Sequence, residues 1–294
     1  MATYAFETVD VFTKSRFGGN PLAVFPRAEG ISDQDMQRLA AEMNLSETTF
    51  VLPPEDEAHT ARVRIFNRSH EMPFAGHPMV GTAFVLARGR QPAPETMSFE
   101  VPAGLVEVRL RHDGDEVRGA VIEAPRPLSL GIELPAAEIA GCVGLAAEEV
   151  ILAGHPPILA SMGNTYVIAE VAAEALGRAA PDLAAFRQVR ESHPELAGRF
   201  SLYLYAPQGG SIGARMFAPL VGTFEDPATG SAATPLAGLL LSLSGRDRAG
   251  FEIHQGVSMG RPSLLEAAAF HTAEGIRATV GGSCVPVFRG EAFL

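Results

Sequence analysis

Two widely separated stretches of this chain follow one plan. Arg64-Ile65-Phe66 leads into Pro73-Phe74-Ala75-Gly76-His77-Pro78-Met79-Val80, and Arg215-Met216-Phe217 leads into Asp226-Pro227-Ala228-Thr229-Gly230-Ser231-Ala232-Ala233. Each copy reads as an Arg-apolar-Phe strand, a loop carrying Gly beside a polar group, and an apolar helix. An earlier echo precedes each, Gly19-Asn20-Pro21-Leu22-Ala23-Val24 against Gly163-Asn164-Thr165-Tyr166-Val167-Ile168. A chain built twice on one plan predicts two similar domains whose matching loops face a common cleft. Those loops end in helix starts, which attract anions through free backbone N–H groups and the helix dipole.

Composition narrows the function. The 294 residues suit two domains, and 47% apolar content supports a core in each; with no Trp, Phe, Leu, Val and Ile must fill them. The formal charge of −11 argues against nucleic acid and anionic membrane as partners, since both need basic surface. No apolar run approaches the ~18 residues a membrane span needs. The opening residues Met1 to Glu7 lack the regions of a secretory signal, and Cys142 and Cys284 form no zinc or redox spacing. The expected compartment is the cytoplasm.

Tyr4 to Val11 alternates like a strand, and Pro21 to Phe25 begins another. Ser32-Asp33-Gln34-Asp35 reads as a helix start, with Met36, Leu39, Ala40 and Met43 on the buried face and a stop near Asn44. Glu47 to Leu52 and Arg62 to Phe66 read as strands. Pro78 in a first turn and Gly89 past the last bracket a helix so apolar that it belongs inside something, most simply a curved sheet. The second half repeats this, with strands near Pro157 to Met162, Tyr166 to Glu170, Arg199 to Tyr205 and Ala214 to Phe217, and an apolar helix near Ser231 to Ser244. Its start is open: Ser231 as cap leaves Pro235 well inside, whereas Thr234-Pro235 offers a competing cap and first position. Pro125-Arg126-Pro127 reads as the crossing between domains 1–125 and 126–280, with a strand at 281–294 returning to the first.

Five segments in this order resemble the phenazine-biosynthesis PhzF-like isomerase family: Gly19-Asn20-Pro21-Leu22-Ala23-Val24-Phe25, Met43-Asn44-Leu45-Ser46-Glu47-Thr48-Thr49-Phe50, Pro73-Phe74-Ala75-Gly76-His77-Pro78, Glu225-Asp226-Pro227-Ala228-Thr229-Gly230-Ser231-Ala232, and Gln255-Gly256 with Gly260-Arg261-Pro262-Ser263. Each is weak alone, whereas the set is specific. The resemblance implies an α+β, diaminopimelate epimerase-like fold of two pseudo-symmetric domains. Each would be a mixed, barrel-like sheet around a central apolar helix, with the active site in the interdomain cleft. It also implies a homodimer.

Epimerases of that fold carry one Cys in each facing loop. Here those loops carry Gly76-His77 and Gly230-Ser231, so a two-thiol mechanism has no residues to run on. The resemblance assigns the general acid/base to Glu47; read alone, Glu47 is a polar residue at a strand edge. Flanked by Leu45 and Phe50, its carboxylate is expected to have a pKa raised by desolvation. His77 is expected to donate to a substrate oxygen, its plain alternative being a capping histidine. Asp226 is expected to accept from a substrate amino or hydroxyl group, or only to favour the helix dipole, with Glu225 beside it solvated. Gly76, Gly230 and Ser231 would supply N–H groups and a hydroxyl to a substrate carboxylate, with Asn20 and Ser46 as further contacts. Arg261 carries no derivable role. The remaining histidines lack metal-ligand spacing, and neither a Gly-x-Gly-x-x-Gly turn nor a Lys-bearing phosphate loop is present, so no cofactor or metal is expected. The expectation is an isomerase moving a proton on a small unsaturated carboxylate, with a Cys-free epimerase or an idle metabolite-binding homologue as alternatives.

Overall fold

The computed structural model describes residues 2–196 and 200–294. Chain contacts divide it into two compact units, 1–123 with 281–294 and 124–280. Arg199, with which one expected strand begins, lies outside the described residues.

In chain order the first unit contains β1 (Thr3–Val11), β2 (Asn20–Phe25), α1 (Asp33–Met43), β3 (Glu47–Leu52), β4 (Ala61–Phe66), β5 (Glu71–Met72), α2 (Gly76–Ala87), β6 (Thr96–Val101), β7 (Gly104–Asp113) and β8 (Glu116–Glu123). The second contains β9 (Ser129–Glu133), α3 (Ala136–Cys142), β10 (Ile158–Ser161), β11 (Thr165–Glu170), α4 (Ala173–Leu176), α5 (Leu183–Ser192), β12 (Leu202–Gln208), β13 (Ser211–Ala218), β14 (Thr223–Asp226), α6 (Gly230–Ser244), β15 (Arg248–Gln255) and β16 (Ser263–Thr272). A long last strand, β17 (Gly275–Phe293), gives its first residues to the second unit and the rest to the first.

The first unit closes on itself. β1 pairs antiparallel with β17 and β2, β2 runs parallel to β3, and β4 follows β3 antiparallel. β4 is parallel to β6, then β7 and β8 lead back to β17, giving a mixed barrel. The seam between β8 and β17 is tight: a Cβ on Gly119 would stand 2.0 Å from the Gly282 carbonyl oxygen, so only glycine fits. Inside lies α2, every residue of which is buried except Leu86. A helix apolar on all faces has no side to show water, and the closed sheet gives it apolar contact all round. Gly81 is where it comes closest to the wall, since a Cβ there would meet Leu22 Cδ2 at 2.6 Å and Val11 Cγ2 at 2.8 Å. Outside the barrel, α1 covers Phe25, Phe50 and Phe66. Ser32 caps its start by accepting from the Asp35 N–H, and Asn44 ends it in a left-handed turn.

The second unit repeats the order. β9, β10 and β11 are antiparallel neighbours, β11 runs parallel to β12, and β13 pairs with β12, with β14 and in parallel with β15, which pairs with β16. Hydrogen bonds from the Ala124 and Leu128 N–H groups to the Ala278 and Ile276 carbonyls add the first residues of β17. Its central helix α6 packs on β10, β11, β15 and β16. The helix begins at Gly230, before both expected starts, with Thr229 in the cap position and Pro235 inside. Pro235 costs one backbone hydrogen bond, about 3 kcal/mol in a helix interior. Burial of Leu236, Leu239 and Leu241 at roughly 1.5–3 kcal/mol each outweighs it.

The repeated Arg-apolar-Phe strands serve a repeated clamp. Arg64 donates from Nε and a terminal nitrogen to both oxygens of Glu71 (2.8 and 2.7 Å), and its guanidinium lies 5.1 Å from the Phe66 ring centre. Arg215 does the same with Glu225 (2.8 and 2.8 Å) over Phe217 at 4.9 Å. Glu225 is therefore not the solvated neighbour expected from the sequence: a buried guanidinium on the adjacent strand needs a carboxylate, and Glu225 meets it. Arg215 also donates to the carbonyls of Leu176 and Ala179. Arg215 and Glu225 side chains are 11% and 15% exposed against 20% and 30% for Arg64 and Glu71, so loss of the partner should cost more in the second unit. Urea unfolding should show Glu225→Ala losing about 3–5 kcal/mol and Glu71→Ala nearer 1 kcal/mol. Equal losses would contradict this ranking.

Candidate active site

Glu47 opens β3 and His77 is the second residue of α2, inside the helix rather than before it. Because β3 forms the barrel wall and α2 its filling, the two side chains meet: His77 Nε2 lies 3.3 Å from Glu47 Oε2. One strand step further in, Thr49 Oγ1 and Thr82 Oγ1 hydrogen-bond at 2.8 Å in the buried interior. That bond ties α2 to β3 two residues along the strand from Glu47. Phe50 points the other way, as alternate strand residues must, and its ring stacks on Phe25 at 4.9 Å beneath α1. The expected apolar flank of Glu47 therefore does not include Phe50. What stands beside Glu47 is the first turn of α2.

Burial pulls the His77 imidazole down to about 3. At neutral pH the ring carries no charge and places no cation beside Glu47. Asn20, fully buried at the start of β2, and Ser46, in the bend before Glu47, stand at the ends of neighbouring parallel strands in the same unit.

Asp226, Gly230 and Ser231 belong to the second unit. Asp226 ends β14, is buried, and accepts from the Thr229 hydroxyl at 2.5 Å. Ser231 Oγ lies 2.6 Å from the Tyr166 hydroxyl. Tyr166 was not singled out in the sequence, although it occupies the Leu22 position of the repeated Gly-Asn segment, where a change from aliphatic to phenol is the available signal.

Both central helices start without a side-chain cap, as do the shorter α3 and α4. Ser32 and Asp182 cap α1 and α5 with side-chain acceptors, whereas Ala75 before α2 and Thr229 before α6 supply no side-chain cap. A cap is worth about 1 kcal/mol, so leaving the first N–H groups of α2 and α6 without one forgoes stability where an anion would find donors. Gly76 and Gly230 hold the first position of each helix. Arg261 follows a left-handed Gly260; its N–H donates to the Gly256 carbonyl, and its own carbonyl accepts from Ser263.

Both cysteines are buried, Cys142 on α3 and Cys284 on β17, and desolvation pushes each thiol up to about 12. Neither is poised as a thiolate base. Among the described residues no group of three or more His, Cys, Asp or Glu is placed to hold a metal ion, and no helix is long and apolar enough to cross a membrane.

The chain is 36% identical to an uncharacterized isomerase of Mesorhizobium japonicum, over all of both chains. It is 34% identical to trans-2,3-dihydro-3-hydroxyanthranilate isomerase of Pseudomonas aeruginosa, over 99% of this chain and 100% of that one. A phenazine biosynthesis protein of the PhzF family from Bacillus anthracis superimposes with a TM-score of 0.89 at 23% identity, over 100% of each chain. The fold is the α+β, epimerase-like one, and by class the protein is an isomerase. The model of the family described as phenazine biosynthesis-like protein matches residues 9–290, and the chain belongs to that family.

The His77 geometry sets a pH dependence for stability. The unfolded chain binds a proton at this imidazole below its ordinary value near 6.5, whereas the folded chain stays neutral down to about 3. Stability is therefore unaffected above pH ~6.5 and falls as pH drops through that window, by at most about 1.4 kcal/mol per unit. Urea midpoints measured from pH 7 to 4 should decline less steeply in His77→Asn than in the parent. Parallel declines would mean the ring is charged in the folded state.

Proposed function

We propose that this isomerase shifts a proton within a small unsaturated carboxylate, of the kind for which its Pseudomonas relative is named, trans-2,3-dihydro-3-hydroxyanthranilate. The observation that carries the reading is the pairing of half-buried Glu47 with a buried, uncharged His77 at 3.3 Å. Glu47 takes the proton from one carbon of the conjugated system and returns it to another, with no cofactor. A neutral His77 adds no positive charge at this distance, and Glu47 carries the proton between the two steps. His77 lies close enough to receive a hydrogen bond from the protonated acid or to pass a donor to a substrate oxygen. Gly76, Gly230 and Ser231 hold the substrate carboxylate, Asp226 accepts from its amino or hydroxyl group, and Asn20 and Ser46 complete the contacts.

Two proton-carrying groups 3.3 Å apart cannot flank one carbon from opposite faces. Inversion of a stereocentre through this pair alone is thereby disfavoured relative to a shift along one face. In this reading the enzyme works in the cytoplasm as a homodimer, its exposed Leu105, Phe288 and Phe293 offering apolar surface. Light scattering should then return about twice the 31.0 kDa chain mass, and a monomer would remove the assembly.

Glu47→Gln keeps size and reach but cannot take a proton from carbon. Turnover of trans-2,3-dihydro-3-hydroxyanthranilate should fall by ~10²–10⁴ with binding retained, the usual span for a general acid–base group. Product chirality, followed in the same assay, separates a shift from an epimerisation. A Glu47→Gln enzyme with near-parental turnover would refute the acid/base role.

A further inference from the structure

Thr229 stands where a hydroxyl ordinarily caps a helix, and it does not cap. Its Oγ1 donates to Asp226 Oδ2 at 2.5 Å and accepts from Gln255 Nε2 at 3.0 Å. Gln255, fully buried at the end of β15, also donates from Nε2 to the Asp226 backbone carbonyl at 2.8 Å. Its Oε1 accepts from the Thr229 N–H at 3.2 Å and from the Tyr203 hydroxyl at 3.1 Å. The two family-like segments that carry these residues are pressed together: a Cβ on Gly256 would stand 2.6 Å from the Pro227 carbonyl oxygen.

The donors fix the direction of the whole chain. Burial first, then the nearby Tyr166 and Asp226, raise the Tyr203 phenol above its ordinary value, so it remains a donor and spends its one hydrogen on Gln255. The Gln255 oxygen then faces two donors and its nitrogen faces two acceptors, which leaves the amide one orientation. Thr229 receives from that nitrogen, so its single hydrogen goes to Asp226. Oδ2 of Asp226 ends the relay as an acceptor. A cap on α6 would have needed none of this.

We infer that Tyr203, Gln255 and Thr229 are positioning residues that fix the orientation of the Asp226 carboxyl group by holding its Oδ2. The inference rests on the reading that Asp226 touches the substrate. It deepens that reading by naming the residues that aim the contact.

Steady-state kinetics on trans-2,3-dihydro-3-hydroxyanthranilate with Thr229→Val and Thr229→Ser test it. Thr229→Val, which keeps shape and deletes the hydroxyl, should raise KM on the order of tenfold while kcat changes little, and Thr229→Ser should restore KM. A purely structural hydroxyl would lower the melting temperature of Thr229→Val and leave KM at the parental value, and that result overturns the inference. If the parent itself does not turn this compound over, the substrate reading fails and the relay is judged by NMR of the Gln255 side-chain amide. Slowly exchanging Nε2 protons in the parent, with faster exchange in Thr229→Val and recovery in Thr229→Ser, support it. Identical exchange in all three proteins overturns it.

Discussion

A helix with no polar face cannot lie on a surface, and most of this structure follows from accommodating two of them. α2 and α6 each need apolar contact on all sides, and in the first unit the sheet closes into a barrel to provide it. Closure then dictates where chemistry can occur. The helix flank is sealed by β-strands, so polar groups gather at its first turn, where backbone N–H groups emerge and a strand end stands alongside. In the first unit that strand end is Glu47 and the first turn carries His77. The burial that makes the helix stable also strips His77 of its charge. Core and site are thus set by one packing event.

The two repeats kept a scaffold and diverged at the positions that face it. Strand registers place Thr48 with Phe66 and Leu202 with Phe217, which makes Ser201 the counterpart of Glu47. Ile65 pairs with Met72 as Met216 pairs with Asp226, so Met72 is the counterpart of Asp226. His77 corresponds to Ser231. The Arg–Glu clamps, by contrast, are the same in both copies down to the aromatic ring under the guanidinium. Each unit therefore supplies a different polar set from one framework: a carboxylate with an imidazole in the first, and a carboxylate with hydroxyls in the second.

Much of this was legible in the residues. Apolar helices bracketed by Pro, Gly and strand-like neighbours are local signals, and the duplicated Arg-apolar-Phe pattern exposed the repeat. The start of α6 was not legible, because Pro235 carries a strong local penalty that only the burial of Leu236 and its neighbours overrides. Glu225 read as surface because the guanidinium it serves lies ten residues away in the chain. Phe50 read as a neighbour of Glu47 by adjacency, although strand alternation sends the two to opposite faces. The relay into Asp226 was invisible for a related reason. Gln255 and Tyr203 reach Thr229 from strands whose positions depend on the whole sheet, and a buried amide leaves no periodicity behind.

The path of β17 has a consequence for how the molecule comes into being. Residues 281–294 form a wall of the first barrel, paired along β1 from Thr3 to Val11. A chain emerging from the ribosome in order delivers that wall after everything else described here. Until then β1 and β8 are open edges, and the apolar groove around α2 has a missing stave. The second unit, whose residues are contiguous from 124 to 280, can complete its core earlier, so the later-encoded half is the first to mature. The nascent first half must remain unclosed for the whole time its twin is being made. During that interval the open β1 and β8 edges are free to pair with a stranger.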